Sequence, residues 1–137
     1  MQAPETGTVV AVTLAPGLAA TVALTVGAAD LAPAHRSGEV EVLATPRLVA
    51  LCEEATVAAV APHLAPRETT VGARVEFDHL APSSPGARVE AAAVLEEITG
   101  RRLTFAVGVS DGDRLVGRGR IVRVVVARDG FPERAGA

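Results

Sequence analysis

The stretch TPRLVALCEEATVAAVA, residues 45–61, decides how the rest of the chain is read. Thr45 followed by Pro46 is a helix-start pair. The hydroxyl can accept a hydrogen bond from the free N–H groups of a first turn, and proline fits the first helical position because its missing N–H had no partner to lose. Pro62 marks a stop, so the spacing predicts a helix from about Thr45 to Ala61. Between Leu48 and Ala61 only Glu53, Glu54 and Thr56 are polar. A helix apolar on nearly every side is normally enclosed by other structure, so two adjacent carboxylates in its middle need a reason.

The flanks read as strands. In GLAATVALTV, residues 17–26, the alternation Leu18, Ala20, Val22, Leu24, Val26 has the period of a half-buried strand. TVVAVTL, residues 8–14, reads as a further short strand joined through Ala15-Pro16-Gly17, and residues 27–41 read as a loop beside the helix start. After the helix come four strand segments, about 69–80, 87–98, 101–110 and 114–127. The links ITGRR and SDGDR have the glycine and aspartate chemistry of tight hairpins, which makes the last three strands an antiparallel meander. One strand, one long helix and four strands give an α+β domain in which a curved antiparallel sheet of about five strands wraps the helix. The whole chain, 1–137, is expected to be one domain with its core over about 17–128 and a frayed, flexible tail over 129–137.

Composition narrows the function classes. Hydrophobic residues are 49% of the chain and aromatics 2%, so the core is built from Ala, Val and Leu. A net charge of -3 and so few aromatic rings for base stacking argue against nucleic acid. No apolar run approaches the ~20 residues of a membrane span. The single cysteine, Cys52, rules out an intrachain disulfide framework, and MQAPETGT does not read as a signal peptide; the expectation is a soluble, cytoplasmic protein without a membrane partner.

Few side chains can carry chemistry. Helical neighbours of Glu53 are Val49, Thr56, Val57 and Val60, whereas Glu54 neighbours the smaller Ala50 and Ala58 as well as Leu51 and Val57. Glu53 is therefore the better candidate for a perturbed carboxylate: burial alone favours its neutral form, a nearby donor keeps it ionised, and a solvated helix edge is the bland alternative. In TVGARVEFDHL the residues Val71, Ala73, Val75, Phe77 and His79 fall on one face, so His79 ends a core-facing row, as a satisfied buried group or as a working one. Thr45 is either the helix cap or a hydroxyl placed beside a developing oxyanion. Cys52 reads as packing, His35 and His63 as solvated, and Gly117 and Gly119 as marking a bulge. No histidine or cysteine pair has metal-ligand spacing.

The order ATP, then Glu53 eight residues after Thr45, then VGARVEFDHLAP, GRRLTF and GRGRIVRVVV resembles the fluoroacetyl-CoA thioesterase family of hotdog-fold proteins, from about Gly17 to Arg128. The resemblance implies a hotdog fold paired into a homodimer, and thioester hydrolysis by a Thr, Glu and His set that falls on Thr45, Glu53 and His79. A glycine and an arginine associated with the family's site match Gly72 and Arg123. An acyl-CoA is then the substrate, with no metal and no other cofactor.

Eight residues of helix span ~12 Å, so Thr45 and Glu53 of one chain cannot touch, and a site shared across a dimer is expected. The family archetype carries lid aromatics before its threonine; residues 27–44 here contain no Phe, Tyr or Trp. A small or medium acyl group other than fluoroacetyl follows. Arg101, Arg102, Arg118 and Arg120 are equally readable as contacts of the CoA nucleotide or as polar strand faces. Rival readings are a non-catalytic hotdog domain that binds an acyl-CoA or acyl-carrier thioester, and a hotdog dehydratase or hydratase.

Overall fold

A computed structural model describes residues 14–130. Its strands are β1 (Ala19–Thr25), β2 (Glu68–His79), β3 (Arg88–Thr99), β4 (Arg102–Asp111) and β5 (Arg114–Ala127), with the helix α1 (Thr45–Val60) between β1 and β2. They form one antiparallel sheet in the order β1-β3-β4-β5-β2, so β1 and β2 are its edges. This is the helix-in-sheet architecture expected from the sequence. Apart from Leu14, which lies in no strand, the 8–14 segment falls outside the described residues, as does the tail beyond Gly130.

The hairpins follow from their glycines. Thr99 pairs with Arg102 around Gly100-Arg101, and Asp111 with Arg114 around Gly112-Asp113. Gly100 and Gly112 both have φ +61°, with positive φ at the first central position only, as in type II′ turns whose twist matches that of the strands. The 27–41 segment is more ordered than a loop reading suggests: it contains short 3₁₀ turns at Ala28–Asp30 and Ala32–His35.

The core fills the concave side of the sheet. Leu48, Leu51, Cys52, Ala55, Ala59 and Val60 of α1 are buried against Val89, Ala91, Ala93 and Leu95 of β3 and Leu103, Phe105 and Val107 of β4. Each large apolar side chain of this set contributes about 1.5–3 kcal/mol by leaving water. The helix is not enclosed all round, however. Val57 and Ala58 are exposed and Ala50 half-exposed, so within one chain an apolar strip of α1 faces outward beside Glu53 and Glu54. Among the described residues no helix is long and apolar enough to cross a membrane.

Strand β2 departs from simple alternation. Its register with β5 shifts between Gly72 and Arg74, leaving Ala73 as an extra residue. The bulge reverses the facing of everything before it. Thr70 and Gly72, paired with Val125 and Arg123, therefore share the helix-side face with Val75, Phe77 and His79, while Val71 and Ala73 do not. Nor is that face core-like throughout, since Val75 is 42% exposed at the sheet edge.

Gly117 and Gly119 adjoin a second irregularity, where β5 slips against β4 between Val109 and Ser110. The stronger reason for both is β2: a Cβ on Gly117 would lie 2.5 Å from the Phe77 ring, and one on Gly119 would lie 1.9 Å from the Glu76 carbonyl oxygen. Gly119→Ala should therefore lower unfolding free energy by about 1–3 kcal/mol, as overpacking against backbone does. Gly108→Ala, whose Cβ would meet nothing closer than 4.0 Å, is the control in the same urea titration. Equal stability of the two variants would refute this account of the β2–β5 approach.

Candidate active site

The helix begins one residue earlier than its threonine and proline suggest. Ala44, with extended φ −68° and ψ 137°, occupies the cap position without a side-chain hydrogen bond, Thr45 is the first helical residue and Pro46 the second. Ala44 is backbone-anchored, its N–H donating to the Asp30 carbonyl at 2.8 Å. The Thr45 hydroxyl is thus released from capping and instead meets His79 Nδ1 at 2.7 Å. This hydrogen bond joins the start of α1 to the end of β2. The first-turn amides, which have no intrahelical acceptor, and the positive end of the helix dipole add a setting suited to developing negative charge.

Burial holds the His79 imidazole below its ordinary value of 6.5, with the Ala81 backbone working the other way to a lesser extent. Burial therefore favours the neutral ring at pH 7. Its Nε2 is buried with no hydrogen-bond partner among the described residues. A neutral imidazole fixed through Nδ1 and unsatisfied at Nε2 can take or give a proton at that atom.

Glu53 belongs to a second cluster. Its Oε2 accepts from an Arg123 Nη at 3.3 Å, and the side chain is 37% exposed. Arg123 is buried and held by Thr70, its Nε donating to Thr70 Oγ1 at 2.8 Å and its other Nη to the Thr70 carbonyl at 3.1 Å. Desolvation works against the Arg123 charge, and the Glu53 carboxylate works to keep it. Gly72 lies directly over this pair: a Cβ there would sit 2.7 Å from Glu53 Oε2. The absence of a side chain at 72 is what leaves the carboxylate its place. Glu54 has another environment, 57% exposed and 3.5 Å from Arg47, which also pairs with Asp30 at 2.9 Å.

Of the five residues singled out in the sequence, the fold thus makes two groups, Thr45 with His79 and Glu53 with Gly72 and Arg123, and does not bring the two groups together. Along α1 they are separated by ~12 Å. Each group adjoins its own hollow. One, of about 400 Å³, opens on Thr45 and His79 between the 37–43 and 79–82 segments. The other, of about 540 Å³, lies over Glu53, Glu54, Val57 and Arg123. Thr70 was not legible beforehand, because its facing depends on the Ala73 bulge. Cys52 is fully buried and its thiol is pushed up to about 12, mainly by desolvation and then by Glu53, which makes it a packing residue. Among the described residues no cluster of His, Cys, Asp and Glu has the makings of a metal site.

Residues 26–129 match the family model described as fluoroacetyl-CoA-specific thioesterase. A fluoroacetyl-CoA thioesterase from Streptantibioticus cattleyicolor is 38% identical over 91 residues, which make up 66% of this chain and 66% of that protein. Among solved structures, a crystal structure of the fluoroacetyl-CoA thioesterase superposes with a TM-score of 0.82 at 30% identity, covering 90% of this chain and 96% of that one. A thioesterase superfamily member from Thermus thermophilus superposes with a TM-score of 0.83 at 27% identity, covering 90% and 92%.

The state of His79 can be checked directly. Its folded pKa is depressed, so the unfolded chain takes up a proton first as pH falls. The stability gained by burying the neutral ring is present above pH 6.5 and is lost between 6.5 and the folded value. An NMR titration of the imidazole should give a midpoint below 6.5; a midpoint above it would mean that the ring is charged where it sits.

Proposed function

The chain belongs to the fluoroacetyl-CoA-specific thioesterase family, and on that footing we propose that it hydrolyses the acyl-CoA thioester of a small or medium acyl group other than fluoroacetyl, acting as a cytoplasmic homodimer without metal or other cofactor. Thr45, Glu53 and His79 form the catalytic set, with Gly72 and Arg123 beside them. The observation that carries this reading is the Thr45–His79 hydrogen bond, which leaves a neutral imidazole with a buried, unpartnered Nε2 in the wall of a hollow.

The chemistry follows from the residue types. The Glu53 carboxylate attacks the thioester carbonyl carbon, the C–S bond breaks and CoA leaves as thiolate. His79, with Nδ1–H donating to Thr45, takes a proton from water at Nε2 as the water oxygen attacks the resulting anhydride, which regenerates the carboxylate. The proton passes to the thiolate, so that water is divided between the acid and CoA–SH. The helix-start amides beside Thr45 favour the oxyanion of each tetrahedral step.

Because the two groups lie apart in one chain, the carboxylate comes from the partner subunit. Strand β2 supports such pairing: it is an edge strand, its residues 72–76 are exposed, and the apolar strip of α1 lies near Glu53. With Ala73 left out as the bulged residue, Gly72 and His79 are equally distant in register from Glu76. Antiparallel pairing of two β2 edges centred on Glu76 keeps opposite side chains on one face and sets Gly72, with its Glu53, opposite His79 of the partner subunit. The residues of 27–44, which lack aromatic rings, argue against fluoroacetyl selectivity.

Release of free CoA from an acyl-CoA panel tests the roles. Glu53→Ala should lose about 10²–10⁴-fold in turnover, as removal of a group acting directly on the reacting atoms does. Glu54→Ala, which removes only an exposed ion pair, should stay within about twofold of wild type. Mixing Glu53→Ala with Thr45→Ala protomers should then restore about a quarter of wild-type activity, since half the dimers are mixed and each of those holds one intact site. A mixture that exchanges subunits yet stays as inactive as its parents would rule out the shared site.

A further inference from the structure

The hollow of about 400 Å³ that opens on Thr45 and His79 is lined mainly by Ala32, Val40, Val42, Leu43, Leu80 and Pro82. It holds no arginine, and its single ionisable side chain besides His79 is Glu39. Two large apolar side chains, Val40 at 68% exposure and Leu80 at 51%, border it without apolar cover in the described chain.

Its walls are fixed by backbone hydrogen bonds. Ala32 N–H donates to the Val42 carbonyl at 2.8 Å and Leu43 N–H to the Ser83 carbonyl at 2.9 Å, while Leu80 and Ala81 both donate to the Val116 carbonyl. A preformed apolar hollow of this size, far larger than a two-carbon acyl group fills, takes a ligand without a cost of ordering.

We propose that this hollow is the acyl pocket, and that the acyl group is an uncharged aliphatic chain of more than two carbons whose far end lies against Val40 and Leu80, which set its length. The assignment rests on the thioesterase reading above. Continuity fixes the occupant: a thioester carbonyl held at Thr45 and His79 points its acyl group into the adjoining space. Charge fixes its chemistry. An acyl group ending in a carboxylate would leave water for mainly apolar walls, with no cation among the lining side chains and with Glu39 repelling it. The nearby Arg114 is engaged by the Pro82 carbonyl. An alkyl chain loses nothing there, and each methylene buried raises kcat/KM about fourfold. Val40 and Leu80 are thus specificity-determining residues.

The test compares kcat/KM for acetyl-, butyryl-, hexanoyl- and succinyl-CoA. Wild type should show a rise of about fourfold per added methylene up to hexanoyl, with succinyl-CoA at least about tenfold below butyryl-CoA for want of a cation. Val40→Trp should lower the hexanoyl-to-acetyl ratio by about tenfold or more, because the indole takes up the space the chain needs. The ratio is measured on one protein, so a partly misfolded preparation cancels, and Leu80→Trp gives an independent reading.

Cleavage of acetyl-CoA with a flat chain-length profile, succinyl-CoA cleaved as well as butyryl-CoA, or ratios unmoved by both tryptophans would overturn the pocket assignment and leave the thioesterase reading intact. If no ester is cleaved, the thioesterase reading falls. Calorimetry with the intact protein then decides the pocket, with hexanoyl-CoA binding more tightly than acetyl-CoA supporting it and equal affinities overturning it.

Discussion

The close seating of α1 on a sheet faced with small residues is the constraint from which the rest of the structure follows. With so few aromatic rings, this chain cannot fill a thick core, and it brings backbone toward backbone instead. Ala91 and Ala93 on β3 and Ala55 and Ala59 on α1 are all buried where helix meets sheet. Dense packing at short range needs little side-chain volume but tolerates no misplacement. It therefore fixes the azimuth of α1, and with it the direction in which Glu53 leaves the helix.

That direction would be costly without Arg123. A buried guanidinium set among valines is expensive unless its donors are met, and breaking such a pair by removing one partner is worse than never having had it. Here Thr70 takes two of its N–H groups and Glu53 a third. The carboxylate is consequently oriented by a group that is itself held rigidly, the condition under which a reacting side chain keeps its aim. The bulge at Ala73 is part of this arrangement, since without it Thr70 and Gly72 would face away from the helix.

The element order and hairpins were legible because periodicity, Pro46, Pro62, Gly100 and Gly112 act locally. What was illegible depends on tertiary context. Thr45 looked like a cap, but the extended backbone of Ala44, tied to Asp30, made that role unnecessary. The helix-side row of β2 was assigned from strict alternation, which a single extra residue defeats. Thr70 carried no signal of its own, and Arg123, inside the IVRVVV run of β5, was singled out by the family resemblance and not by its buried partners. The separation of Thr45 from Glu53 was visible in their helical spacing, and the partnership of Thr45 with His79 was not, because it joins residues 34 apart in sequence.

The depth of Cys52 bears on how the fold meets the thiol that the proposed reaction releases. Hydrolysis of any CoA ester liberates a thiol, and thiols interchange with disulfides through their thiolates. Burial, and then the neighbouring Glu53 charge, push the Cys52 thiol up to about 12, and the side chain has no exposed surface, so the reactive thiolate is disfavoured. Although its neighbour in sequence is Glu53, it presents no exposed sulfur for a mixed disulfide with CoA. Free CoA, or its oxidised dimer, thus meets the chain's single cysteine only as a buried packing group.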